Sequence, residues 1–175
     1  SVSLVNVSNP ANPEVVSTIA LEDPTHPVVK RGRKAFETAA ASTTGTFACA
    51  SCHPDGHTDQ LLWVLETPIV TGGSQIQPRT TMPIRGLRDT EPYHWDGIPG
   101  DPYGGPNAAN TDSDVAPNSD INDQTTATRH LIDGSLANTM HLVGKTDTNN
   151  EGKLGTLSAA ERDAMAVFLL NVPYP

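Results

Sequence analysis

Apolar and polar residues alternate at the start of the chain: Val2, Leu4, then Val5 and Val7, a break at Asn9-Pro10 and Asn12-Pro13, and a resumption at Val15, Val16 and Ile19. A period of two, interrupted by turn residues, predicts two short strands within residues 1–21. Two strands are marginal alone, so this piece is expected to lie against its own domain or a neighbouring chain. In PVVKRGRKAFETAAA the period changes. Val28, Gly32, Ala35, Phe36 and Ala39 share one helical face, and Pro27 suits the first turn after Thr25 or His26. A mid-helix glycine costs about 1 kcal/mol against alanine, and a close helix crossing is the packing reason that offsets it. The end of the chain shows the same period. Ser158 with Glu161 three residues later forms a capping box, and Met165, Phe168, Leu169 and Val172 make a face that stops before Pro173. Residues 97–128 show no periodicity over about thirty positions, longer than an ordinary connection.

At 175 residues the chain has room for one core and an appendage. The expected division is an extended β-type segment over 1–25 and a main domain over 26–175. The composition is 36% hydrophobic and 5% aromatic with 14 Gly and 15 Pro, which predicts a loop-rich fold that gains from a bound apolar group. A net charge of −9 argues against nucleic acid or an anionic membrane surface as partner and favours a basic protein. No run of eighteen apolar residues is present. The first residue is Ser1, as expected of a mature product whose targeting segment has been removed, although a cut inside a longer chain would look the same.

The candidate chemistry is concentrated in CASCH at 49–53, which holds both cysteines and one of the six histidines. A structural zinc site needs four ligands, and no further cysteine exists. A thioredoxin-like dithiol needs C-x-x-C at the mouth of a βαβ unit, and the flanks carry no parallel-strand pattern. The third reading is covalent haem c attachment. Thiols three residues apart fall on one face of a helical turn, so Cys49 and Cys52 can both form thioethers, with His53 beneath the iron. Such attachment occurs outside the cytoplasm, so a periplasmic or extracellular location is expected.

Two helices bracketing C-x-x-C-H resemble a class I cytochrome c, whose terminal helices cross at a glycine and an aromatic; Gly32, Phe36 and Phe168 match those positions. The resemblance implies a mainly α, cytochrome c-like helical domain around one haem, with a short N-terminal β segment and a long irregular loop. TTMPIRGLRDTEPYHWDG, residues 80–97, is similar to the stretch after the second haem motif of bacterial di-haem cytochrome c peroxidases, matched by Thr81, Ile84, Arg85, Pro92, Tyr93, Asp96 and Gly97. Trp95 stands where the peroxidases carry His, and one C-x-x-C-H is present where they need two. Residues 1–21 resemble the strand repeats of bacterial β-propellers, and CASCHPDGHTDQLLW looks like the cytochrome domains attached to such repeats.

With His53 as fifth ligand, function turns on the sixth position, where a thioether raises the potential, a second imidazole lowers it and an open face permits chemistry. Met140 in DGSLANTMHLVG lies where both resembled families place their axial methionine, and is the expected ligand. His141 beside it would give bis-histidine ligation, Met82 is a further alternate, His130 is a weaker one, and Met165 fits core packing. His57 and His94 are expected to hydrogen-bond near the haem edge, and His26 to lie on the surface. Arg79, Arg85 and Arg88 cluster; Arg85 is expected on a haem propionate with Trp95 and Tyr93 as nearby donors, or else in surface pairs with Asp89, Glu91 or Asp96. In the long loop Asp112, Asp114, Asn118, Asp120 and Asp123 offer hard oxygens in a calcium-like spacing without the EF-hand glycine and glutamate, and DTNNEG at 147–152 is a poorer version.

Three functions follow. The expected one is electron transfer by a mono-haem cytochrome c with a protein redox partner. The second is a peroxidase-like haem enzyme, which the single haem motif weakens. The third is a wiring subunit of a multi-haem assembly, joined to its own kind or to a β-propeller neighbour through residues 1–21.

Overall fold

The computed structural model describes residues 1–68, 74–91, 93, 122–142 and 144–174. Among these residues helix and strand are mixed. β1 (Val2–Asn6) and β2 (Glu14–Ile19) form an antiparallel hairpin with an irregularity between Leu4 and Val5. Its connection is built by asparagine side chains, Asn6 Oδ1 accepting from Ser8 N at 3.0 Å and Asn9 Oδ1 from Ala11 N at 3.2 Å. The alternation predicted both strands. Among the described residues nothing of this chain covers the hairpin: every residue from 1 to 27 is exposed, including Val2, Leu4, Val15, Val16 and Ile19.

α1 (Pro27–Glu37) starts on Pro27 with His26 as N-cap, its Nδ1 accepting from Val28 N. It ends at Thr38, so Ala39 belongs to a following one-turn 3-10 helix over Ala39–Ala41 and not to the α1 face. α2 (Cys49–Cys52) is a single turn. β3 (Leu62–Pro68) and β4 (Ser74–Thr80) form a second antiparallel hairpin that the mainly α reading did not anticipate. α3 (Gln124–Ala137) is a second surprise, because the aperiodic stretch was expected to run to residue 128. Asp123, read as one of the acidic loop residues, caps α3 through Thr125 N at 2.9 Å. Asp112, Asp114, Asn118 and Asp120 lie outside the described residues, as do His94, Trp95 and Asp96.

α4 (Ala159–Leu169) opens on the predicted capping box: Ser158 Oγ accepts from Glu161 N at 3.4 Å, and Glu161 Oε2 accepts from Ser158 N at 2.8 Å. α1 and α4 cross at Gly32, where a Cβ would sit 2.0 Å from the Ala164 carbonyl oxygen and 2.6 Å from Phe168 Cβ. The rings of Phe36 and Phe168 meet one turn away with centroids 5.6 Å apart, tilted by 50°. α3 packs against α4 from another side, and Leu136, Met165, Ala166 and Leu169 fill the core.

A buried arginine ties this core together. Arg162 is 0% exposed, yet every part of its guanidinium is used: Nε donates to Leu157 O at 3.0 Å, Nη2 to the carbonyls of Leu154, Gly155 and Thr156 at 3.0 Å each, and Nη1 to Asp133 Oδ1 at 2.9 Å. Asp133 in α3 also receives Lys153 and Arg129, and Arg129 pairs further with Glu151 and Asp163. The clamp holds Leu157 at φ 46, a backbone region costly for a branched side chain. In the 147–152 segment Glu151 is engaged with Arg129, and Asn149 Oδ1 accepts from Glu151 N and Lys153 N.

Gly32→Ala is expected to lower stability by about 3 kcal/mol or more, read as a lower urea midpoint at unchanged slope, because backbone stands in the way of the added methyl. Burial pulls the Asp133 carboxyl upward, but hydrogen bonds from Lys153 and Arg162 and the charge of Arg129 hold it below its ordinary value. A folded value below the unfolded one gives stability that is complete above the free carboxylate range of about 3.9 and is lost as pH falls through that range to the folded value. Acid unfolding should therefore begin below about pH 4, and Asp133→Asn should flatten that limb while lowering stability at neutral pH. Arg162→Leu should cost about 3–5 kcal/mol by leaving four buried carbonyls without their donor and taking from Asp133 one of its three cationic partners.

Candidate functional site

Ser42 organises the approach to CASCH, its Oγ accepting from Thr46 N at 3.2 Å and Phe47 N at 3.4 Å. The short turn of α2 then starts where Ser51 Oγ accepts from Ala48 N at 3.0 Å, and it closes with His53 N on Cys49 O at 3.0 Å. One helical turn thus carries both thiols and delivers the imidazole at its end. Both cysteines are free thiols. Burial pushes the Cys49 thiol up to about 11 and raises Cys52 as well, the latter aided by the neighbouring Asp59 carboxylate. Neither is the low-pKa thiolate that a dithiol redox centre or a nucleophilic cysteine requires. Among the described residues no group of three His, Cys, Asp or Glu side chains gathers as a metal cage.

Burial favours the neutral form of His53, against a smaller opposing effect of backbone groups of His57 and Met82 beside the ring. None of these groups makes a hydrogen bond to Nδ1, which is buried without a partner. A buried imidazole nitrogen left in this way calls for an acceptor, a donor or a metal. A donor set of two thiols on one turn followed by a buried imidazole suits covalent haem, whereas a structural zinc site would need further ligands.

The loop after CASCH is fastened from two directions. Ile84 N donates to Gly56 O at 2.9 Å, and Gly86 N donates to Val172 O at 2.9 Å. Between them Arg85 joins three places: Nε donates to Pro173 O at 3.0 Å, while Nη1 reaches Asp55 O at 3.4 Å and His57 Nε2 at 3.3 Å. Arg85, expected on a propionate, is thus engaged in binding the CASCH loop to the segment after α4. Arg88 extends the seam by donating to Asn171 Oδ1 at 3.2 Å. Tyr93 is buried and its hydroxyl sits between Leu87 O and Thr128 Oγ1, so it joins residues 87–93 to α3.

The expected sixth-ligand segment follows α3. Met140 N donates to Ser135 O at 2.9 Å and His141 N to Asn138 O at 3.0 Å. Thr43 grips the next stretch twice, its N donating to Met140 O at 3.0 Å and its Oγ1 accepting from Leu142 N at 2.8 Å. The chain that leads into CASCH is therefore joined directly to the chain that carries Met140 and His141. Met140 is 6% exposed and belongs to the hydrophobic core cluster, while His141 Nε2 is buried without a hydrogen-bond partner. Met82 keeps its backbone against the His53 ring. His130 lies on α3 beside Lys153, Asp133 and Arg129, Met165 is core at 1% exposure, and His26 is an exposed cap.

The residues that sequence reasoning missed are Thr43 and Arg162. Thr43 carries no motif. Arg162 does leave a signal, a charged residue three and seven positions before Met165 and Leu169 on the core-facing stripe.

No protein-family model matches the chain, and no curated protein matches it. Among solved structures, a chain of Kuenenia stuttgartiensis hydrazine synthase, studied under 20 bar of xenon, is similar with a TM-score of 0.50 at 19% sequence identity. The likeness covers 93% of the present chain and 49% of that one, so the chain spans about half the length of this distant neighbour. At that identity the likeness is one of fold. Among the described residues no helix is long and apolar enough to cross a membrane.

Thr43→Val should remove the acceptor for Leu142 N and loosen the 138–142 segment by about 1 kcal/mol, seen as roughly fivefold faster exchange of the Leu142 amide. Thr43→Ser, which keeps the oxygen, should leave that exchange unchanged.

Proposed function

We propose that the chain is a c-type cytochrome domain that carries one haem on Cys49 and Cys52, takes His53 as an axial ligand, and transfers electrons to and from a protein partner. The observation that carries this reading is the single turn of α2, which places two free thiols and then a buried imidazole whose Nδ1 has no hydrogen-bond partner. When bound, haem supplies one-electron chemistry between ferric and ferrous iron. The chain's own residues do the rest. The high thiol pKa values keep the cysteines protonated until thioether formation, and burial keeps His53 neutral and able to donate its lone pair. Ile84 and Arg85 hold the 53–57 loop against the segment after α4, which limits movement of the imidazole during electron transfer. Met140 or His141, on the segment held by Thr43, would supply any second side-chain ligand.

The cytochrome c-like architecture implied by Gly32, Phe36 and Phe168 belongs to the same proposal, supported by the close crossing of α1 and α4. A net charge of −9 favours a cationic redox partner, and the covalent haem favours a periplasmic or extracellular setting.

Protein produced with a haem-attachment system should be coloured, and its mass should exceed that of the polypeptide by one haem that survives acid acetone. The double variant Cys49→Ala, Cys52→Ala should lose covalent haem completely. A colourless product with two thiols open to alkylation would overturn the reading. Electron exchange with a basic partner should slow steeply as salt is raised past about 0.1 M, where the screening length drops to about 10 Å.

A further inference from the structure

Among the described residues, two buried side-chain nitrogen or oxygen atoms have no hydrogen-bond partner, and both are imidazole nitrogens: His53 Nδ1 and His141 Nε2. Buried polar atoms are almost always satisfied, so each needs an explanation. His53 has one in the proposed haem site. His141 stands eighty-eight residues away in sequence, yet its backbone is tied to the chain that leads into the His53 segment. Thr43 N donates to the carbonyl of Met140 before it and Thr43 Oγ1 accepts from the amide of Leu142 after it, while His141 N donates to Asn138 O at 3.0 Å. Ser42, next to Thr43, organises the turn into CASCH. The two unsatisfied rings are thus presented by segments stitched to one another.

Met140 presents the opposite case. It is buried within the cluster of Leu136, Leu157, Met165 and Leu169, so packing accounts for it completely, and a methionine in an apolar cluster needs no ligand role. Adjacent residues on an irregular segment point their side chains in different directions. Of the two neighbours, the one whose placement packing leaves unexplained is the histidine.

We propose that His141, through Nε2, is the second axial ligand of the haem carried by CASCH, giving a bis-imidazole site in place of the His/Met site that the resemblance implies. The inference rests on the haem reading above. Its consequence is a lower reduction potential than a thioether-ligated carrier would have, and a six-coordinate iron closed to peroxide.

The test is the electronic and EPR spectrum of the full haem-loaded chain and its variants. The wild type should be ferric low-spin without the weak charge-transfer band that a thioether ligand produces, and Met140→Leu should leave that spectrum unchanged. His141→Ala should turn the ferric haem high-spin, with added imidazole restoring low spin, or should show a thioether band absent from the wild type. If His141→Ala does not accumulate, His141→Met should introduce the thioether band. A thioether band in the wild type that disappears in Met140→Leu would overturn the assignment while leaving the haem reading intact, and so would an unchanged low-spin spectrum in His141→Ala. Protein without haem overturns both, and is told apart by the absence of any haem spectrum.

Discussion

The fold depends first on two helices approaching closely enough for backbone to touch backbone. At Gly32 the carbonyl of Ala164 occupies the place where any side chain would project, and this distance sets where α1 ends relative to α4. Everything that positions CASCH hangs from those two helices. The chain leaves α1, makes one 3-10 turn, passes Thr43 and reaches α2 within a dozen residues of Thr38. On the other side, the segment after α4 accepts from Gly86 N and Arg85 Nε, while the neighbouring Ile84 N and Arg85 Nη1 hold the carbonyls of Gly56 and Asp55. The turn with the thiols is therefore braced from both ends of a single helix pair, so a shift in the crossing moves His53.

Arg162 solves a second problem, the attachment of α3. That helix has a weak apolar stripe, interrupted by Asp133 and Gly134, and would bind α4 poorly by burial alone. A buried ion pair between Asp133 and Arg162 costs desolvation, but here each of the three guanidinium nitrogens has an acceptor, four carbonyls of residues 154–157 besides the carboxylate. The result is geometric specificity. α3, α4 and the loop between them share one centre, and the end of α3 that carries Met140 and His141 is held by a contact that permits one register.

The parts of this arrangement written in local pattern were readable in advance. The capping box at Ser158 and Glu161, the proline start of α1, the helical faces of both terminal helices and the strand alternation at the N-terminus are rules about neighbours three or four residues apart. The motif CASCH is equally local, and its high specificity comes from using both cysteines. What escaped was non-local. α3 was hidden because Gln124, Thr125 and Thr126 read as loop, and its cap Asp123 read as one more acidic loop residue. Between β3 and β4 the sequence holds Gly72 and Gly73, a turn signal of the kind that separates paired strands. Arg85 illustrates the limit most clearly: a cation in an acidic chain invites a charged partner, whereas its observed partners are carbonyls of Asp55 and Pro173, thirty and eighty-eight residues distant.

The composition of the core bears on the haem reading from a direction independent of the motif. Among the described residues six of the fifteen buried hydrophobic ones are alanines, Ala35, Ala41, Ala48, Ala127, Ala164 and Ala166, and the chain is 5% aromatic. Small side chains let helices approach, as at Gly32, but each buries little apolar area, and a core of this kind gives up stabilisation at about 25 cal/mol per Å² of surface not removed from water. A loop-rich chain of 175 residues with so lean a core gains from a large apolar group fixed inside it. On the proposed reading haem is such a group. Attachment through Cys49 and Cys52 would then serve stability as well as redox chemistry, because a covalent link holds the group in the folded chain at any dilution.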